Sequence, residues 1–247
     1  MFKTAVIITA RSKSSRLPNK ILKNLDKKLK SIDILIKRAE KINLPIILAT
    51  TRSRTDDKLC AYVKEKYKIK IFRGSDENKL LRWHNCYKKF KIENACIIDG
   101  DDIFFDYNIY KKLIKKVGKY DILSAHKSMI TGVFTHIIAR TALKKMYKYF
   151  KSKIDSEMIE PFIEKSKLKK KIIKVNKIFH NKKIRITLDY IEDLKVMSVL
   201  LKKFSPTENT IDLIKYLRKN KSITNINYFR ENFWRKNQLK KISSINI

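Results

Sequence analysis

The feature that most constrains this chain is a repeated change of period. Short apolar runs, TAVIIT at 4–9, PIILAT at 45–50, IKIFR at 69–73 and ACII at 95–98, are each followed by a longer segment in which apolar residues recur every three or four positions. A run of four to six apolar residues is a strand's length, and the segments between them carry a helix's stripe: Ile32, Leu35, Ile36 and Ala39 behind a cap at Ser31, then Leu59 and Val63, then Leu80, Leu81, Trp83 and Tyr87. Strand and helix in alternation imply a mostly parallel sheet, because a parallel neighbour can be reached only through a crossover of a dozen or more residues. The predicted class is α/β. DILSA, FTHIIA, KIIKVN and KIRITL read as further strands, with helices around 141–150, 156–166 and 191–204. The 247 residues suit one main core. After Ser205-Pro206 the character changes, which predicts a domain over 1–205 and a helical extension over 206–247, packed on that domain or on a partner subunit. Its aromatics Tyr228, Phe229, Phe233 and Trp234 sit among basic residues, a pattern that suits an anionic surface as well as a packed helix; with FTHIIA it is the candidate interface of a homodimer.

Charge narrows the partners. Lys and Arg number 59 against 24 Asp and Glu, a formal net charge of +35. Most of the excess is Lys, spread over nearly every solvent face, with no localised stripe, aromatic platform or nucleic-acid module. Small anionic substrates fit such a field, and no specific nucleic-acid partner is expected. No apolar run reaches the roughly 18–20 residues of a membrane span, and the start MFKTAVIITARSK is too short for a signal peptide, so the expected address is the cytoplasm. Cys60, Cys86 and Cys96 lack paired metal spacing and read as buried thiols.

Ligands of open parallel sheets bind outside the carboxyl ends of the strands. There the first apolar run passes into RSKSSRLPNK, where Arg11, Arg16 and Lys20 can direct charge onto several phosphate oxygens while Ser14, Ser15 and local amides donate hydrogen bonds. That chemistry suits a triphosphate. The fourth run ends in Asp99-Gly100-Asp101-Asp102, a concentration of negative charge that Mg2+ would relieve, since that ion takes one or two carboxylates together with phosphate oxygens. Asp189, in RITLDYIEDL, is a second candidate ligand, whereas Asp193 reads as a helix-start residue.

ARSKSSRLPNKIL, ATTRSRTDD, FRGSDENKLLR, DGDD and RITLDYIEDL, in that order over roughly residues 4 to 225, resemble the cytidylyltransferases that make CMP-activated acidic sugars such as CMP-deoxyoctulosonate and CMP-acylneuraminate, with the spore-coat-polysaccharide branch nearest. The resemblance implies a three-layer αβα sandwich, the Rossmann-like nucleotidyltransferase fold related to nucleotide-diphospho-sugar transferases. It also implies transfer of CMP from CTP to a sugar acid or related surface-polysaccharide precursor, with magnesium and release of pyrophosphate. Carried over by position, Arg11, Ser14, Ser15, Arg16 and Lys20 hold the triphosphate, Arg73, Ser75 and Arg82 face the base or sugar, and Asp101 and Asp189 bind the metal. Arg16, Lys20 and Asp101 then act at the reacting phosphate. Lys13 and Asn19 stand where glycine is expected, and Ile103 where proline is usual after the acidic motif. The acceptor pocket falls between about 125 and 180, near Glu157 and Glu160, and His126 is the histidine to test. The alternative enzyme is a metal-dependent glycosyltransferase of the related fold, for which Asp99-Gly100-Asp101 would be the metal motif. Such an enzyme holds a diphosphate and has less use for three cations in the first loop.

Overall fold

Successive residues of the first strand point into two different cores. In β1 (Thr4–Thr9), Val6 and Ile8 join one buried cluster, while Ala5 and Ile7 join another on the opposite face. β2 (Ile46–Thr51) and β4 (Asn94–Asp99) divide their side chains the same way, Leu48 and Ile98 to one side, Ile47 and Ile97 to the other. A strand buried on both faces needs helices on both faces, which is why these runs are apolar throughout rather than alternating. The computed structural model describes residues 2–26, 28–116, 118–146, 156 and 158–243. Among them is a seven-stranded sheet in the order β3-β2-β1-β4-β6-β5-β7, with β3 at Lys70–Gly74, β5 at Ile122–Ser124, β6 at His136–Ala139 and β7 at Lys170–Ile172. β3, β2, β1 and β4 run parallel, β6 is antiparallel to β4 and β5, and β7 is parallel to β5. This is the three-layer α/β arrangement expected.

The first crossovers are α1 (Ser31–Glu40), α2 (Asp57–Lys66) and α3 (Lys79–Phe90), followed by α4 (Tyr107–Ile114), α5 (Arg140–Lys145) and α6 (Glu160–Lys165). Ser31 opens α1 but does not cap it. Its hydroxyl donates back to the Lys20 and Lys23 carbonyls, and Asp33 accepts from the Lys30 amide at 2.7 Å to close the helix start. FTHIIA lies inside the sheet, with Ile137 and Ile138 buried between β4 and β5, so it presents no free edge to a partner. Cys86 and Cys96 are buried, and Cys60 is half-buried. Residues 147–150 of the helix expected over 141–150 lie outside the described residues.

KIRITL forms no ladder with the sheet. Its neighbours are loops: Thr131 bridges Arg185, the Ile186 amide donates to the Thr131 carbonyl at 3.1 Å, and the Leu188 amide donates to the Asp101 carbonyl at 2.8 Å. Gly132 makes this possible. Its φ is +100°, and a Cβ there would stand 2.5 Å from the Ile186 carbonyl oxygen. The segment runs straight into α7 (Ile191–Lys203), so Asp189 is brought against the acidic turn after β4.

The chain beyond 205 packs on the same core. α8 (Thr210–Lys219) adds Leu213, Ile214 and Leu217 to the buried cluster that holds Ile32 and Leu35. The fully buried Arg38 guanidinium donates to the carbonyls of Phe105, Pro206 and Glu208 and to the Thr210 hydroxyl. Burial, opposed by Asp106, lowers its pKa to about 10, so it stays charged at neutral pH. After α9 (Lys221–Thr224) comes the last described helix, α10 (Arg230–Ser243). No described helix is long and apolar enough to cross a membrane.

Candidate active site

A cleft of about 930 Å³ opens beyond the carboxyl ends of β1 and β4 and takes in the turn after β4, the loop after β1 and the start of α3. The β1 and β4 ends meet at Gly100, whose amide donates to the Thr9 carbonyl at 2.8 Å. A Cβ at Gly100 would lie 2.7 Å from the Ala10 Cβ, so only glycine lets the first loop sit against the acidic turn. Ile103 is buried, and its amide donates to the Asp101 carbonyl at 2.9 Å, a bond that the proline expected there could not make.

The first loop is pinned from below. Asp56 is buried and accepts from the Ser12 amide at 2.6 Å, the Thr50 hydroxyl at 2.7 Å, the Thr51 amide at 3.1 Å and the Thr51 hydroxyl. Burial alone would raise its pKa, but these hydrogen bonds outweigh that and hold the carboxyl below its usual range. Asn19 closes the loop with φ 54°, in the left-handed region that asparagine tolerates better than most residues, which accounts for a non-glycine at that position. The first turn after it, a short 3-10 helix at Lys20–Leu22, aims Lys20 back under the loop.

Lys20 is the centre of the site. Its ammonium donates to Asp101 Oδ2 at 3.0 Å and to Asp189 Oδ1 at 2.8 Å, while Arg16 Nη2 donates to the same Asp189 oxygen at 2.6 Å. Arg185, fully buried, takes Asp189 Oδ2 at 3.1 Å and also holds Asp193 and Glu231. Burial works against the Lys20 charge, yet Asp101 and Asp189 raise its pKa above the ordinary lysine value. For Asp189 burial is likewise outweighed, here by Lys20 and Arg16, which hold its carboxyl well below the usual range. Asp193, the third residue of α7, accepts from the Asp189 and Tyr190 amides, as a helix-start carboxylate does.

The acidic turn has the opposite balance. Burial raises the Asp101 pKa, Lys20 pulls it down, and Asp189 and Asp99 push it up; the net direction is upward. Asp102, buried and accepting from the Thr135 hydroxyl at 3.0 Å, is raised by burial and by Asp101 and Asp99. Asp99 is paired with Lys79 at 2.7 Å. Carboxylate oxygens of Asp99, Asp101 and Asp102 lie within 4.8 Å of one another. A donor set of hard oxygens with more negative charge than its cations neutralise fits a divalent magnesium-type ion.

Arg11, Ser14, Ser15, Arg16, Lys20, Arg82 and Asp101 all line the cleft. Asp189 stands beneath it, reached through Lys20 and Arg16, with both oxygens engaged by cationic side chains. Arg73 and Ser75 do not line it. Arg73 braces the turn after β2 through the Thr51 and Ser53 carbonyls and Asp57, and the Ser75 hydroxyl accepts from the Asn78 amide. Arg82 is nearly buried, donates to the Ser75 carbonyl at 2.7 Å and has its pKa lowered by burial and by Arg11 to about 10. Of the expected acceptor residues, Glu160 and His126 line the cleft, and Glu157 lies outside the described residues. His136, half-buried by its neighbours, is lowered to about 4 by burial and is neutral at physiological pH. Sequence reasoning missed Asp56, Lys79 and Arg185. The TRSRTDD block and the four-residue spacing from Arg185 to Asp189 held a signal for two of them.

A cation-rich loop and a carboxylate cluster thus lie together at the carboxyl ends of parallel strands. A sequence profile described as cytidylyltransferase matches residues 5–232. The chain therefore belongs to the cytidylyltransferase family, enzymes that transfer a nucleotide from CTP. It is 30% identical over 227 residues to an uncharacterized protein of Methanocaldococcus jannaschii, covering 90% of this chain and 93% of that one. The spore coat polysaccharide biosynthesis protein SpsF of Bacillus subtilis is 32% identical over 116 residues, 44% of this chain and 47% of the relative. Among solved structures, a cytidylyltransferase from Leptospira borgpetersenii superposes with a TM-score of 0.80 at 23% identity, covering 91% of this chain and 97% of the other.

Proposed function

We propose that this cytidylyltransferase transfers CMP from CTP to a sugar acid or related surface-polysaccharide precursor, with magnesium and release of pyrophosphate. The observation that carries the reading is the Lys20 ammonium held between Asp101 and Asp189 with Arg16 alongside. These cations balance the carboxylates in the free protein and are positioned to exchange them for phosphate oxygens, with Arg11, Ser14 and Ser15 at the mouth of the same loop. Asp101, with Asp99 and Asp102 beside it, would hold magnesium, and Asp189 becomes available as a second carboxylate when Lys20 and Arg16 turn to the triphosphate. Bound there, the ion would neutralise charge developing on the phosphates. The protein's share is positioning: Arg16 and Lys20 orient the triphosphate so that an acceptor oxygen attacks the α-phosphorus in line.

An acidic acceptor is supported by Lys127, Lys170 and His126, which line the same cleft. The test is pyrophosphate release from CTP in the presence of magnesium and deoxyoctulosonate or acylneuraminate, with the CMP-sugar identified by mass. Stoichiometric pyrophosphate and CMP-sugar are expected. A glycoside formed from a nucleotide-sugar, without pyrophosphate, would replace this reading with the glycosyltransferase alternative.

A further inference from the structure

One wall of the cleft comes from beyond the residues that the family profile matches. Trp234, Arg235, Gln238 and Lys241 of α10 line it, at spacings that put them on one helix face. All four follow residue 232, where the family match ends. The nucleotide floor is thus closed on this side by residues beyond the family match, which is where a shared chemistry would be fitted to a particular acceptor.

The wall is anchored and unsatisfied. Glu231 accepts from Arg185 Nη1 at 2.8 Å, from the Thr131 hydroxyl at 2.8 Å and from Arg235 Nη2 at 2.8 Å. Through Arg185 the helix shares a partner with Asp189, so its seat is tied to the floor of the site. The Trp234 ring lies 5.7 Å from the Arg185 guanidinium, a second tie. Arg235 is thereby oriented at the cleft rim beside Thr131, and Lys127 of the loop between β5 and β6 lines the same cleft. Gln238 Oε1 is buried with no hydrogen-bond partner, and an acceptor in that state costs free energy until a donor reaches it. A sugar hydroxyl is such a donor, and an acid group is the natural partner of Arg235.

We infer that α10 is the acceptor-recognition wall of this enzyme, Arg235 binding the acid group of a sugar acid and Gln238 accepting from one of its hydroxyls. The inference rests on the cytidylyltransferase reading and deepens it. The anionic group that Arg235 meets could instead be the triphosphate, and the two sources separate kinetically. Steady-state pyrophosphate release with CTP, magnesium and deoxyoctulosonate or acylneuraminate would be compared in wild type, Arg235→Ala, Arg235→Lys, Gln238→Leu and the control Lys236→Ala, which removes a charge from the same helix away from the cleft. Calorimetric CTP binding would be run on each. Losing a hydrogen bond to a charged group predicts an acceptor KM about 10- to 100-fold higher in Arg235→Ala. Partial recovery is expected in Arg235→Lys, a rise in acceptor KM in Gln238→Leu, which removes the acceptor, and unchanged CTP binding in every variant. With wild-type CTP binding intact, an unchanged acceptor KM, a rise confined to CTP, an equal rise in Lys236→Ala or no turnover of either acid would overturn the α10 assignment alone. Absence of CTP binding in wild type would instead remove the reading beneath it.

Discussion

The two halves of the sheet build the cleft by different means. β3, β2, β1 and β4 are five or six residues long and parallel; Lys20 and Asp101 follow β1 and β4, and Lys20 is joined by hydrogen bonds to Asp101 and Asp189 across 81 and 169 positions of sequence. β6, β5 and β7 are three or four residues long, and β7 is exposed along its length. There the cleft is walled by the loop between β5 and β6, the start of α6 and α10. The long half holds a charge network in one geometry, as nucleotide chemistry requires, and the short half leaves room for different acceptor walls on the same floor.

Four substitutions sharpen or break that contrast. The largest effect is expected at Asp189→Ala, which leaves Arg16, Lys20 and Arg185 without their shared carboxylate. Removing one partner of a buried ion cluster costs about 3–5 kcal/mol, so denaturant unfolding should show a loss of that size together with loss of turnover. Asp101→Ala should behave differently. Asp101 would hold the ion that neutralises charge on the phosphates, and its loss should lower kcat about 10²–10³-fold. Its loss relieves the burial that raises its pKa but takes one carboxylate from Lys20, which keeps Asp189, so the melting temperature should fall less than in Asp189→Ala. A large loss of stability there would mean the acidic turn is structural.

Asp56→Asn comes next, with a loss of about 1–3 kcal/mol from the weakened hydrogen bonds under the first loop. Because the folded Asp56 pKa is depressed, its contribution is complete above the unfolded carboxylate value of about 4 and disappears as pH falls through the lower folded value. Melting curves of wild type and Asp56→Asn should therefore differ at neutral pH and converge in acid. The smallest effect belongs to Arg140→Ala. Its pair with Glu93 at 2.9 Å is exposed, and a change of more than about 1 kcal/mol in thermal unfolding would show that surface charge matters more here than its geometry allows.

β1, β2 and β4 were legible because each is buried on both faces and writes itself as a nearly unbroken apolar run. KIRITL imitates that signal for another reason: Ile184, Ile186 and Leu188 are buried against loops, and burial without a ladder leaves the same letters. Arg11, Arg16, Lys20 and Asp101 stood out as charges directly after strands, where the fold places ligands. Arg73 shares that position, but its hydrogen bonds turn it back to the Thr51 and Ser53 carbonyls, and spacing carries no information about that. The α10 wall was hidden for a related reason. Its aromatic and basic pattern fits a surface tail equally well, and only the ties through Glu231 and Arg185 bring it to the cleft.

The central claim is that the cleft is a CTP site whose triphosphate is taken by Arg16 and Lys20. Calorimetric titration with CTP, ATP, GTP and UTP, with and without magnesium, tests it most directly. CTP should bind selectively and more tightly with magnesium, and Arg16→Ala should weaken it about 10- to 100-fold, the value of a charge-assisted hydrogen bond. No triphosphate binding, or CTP affinity that Arg16→Ala leaves unchanged, would contradict the account.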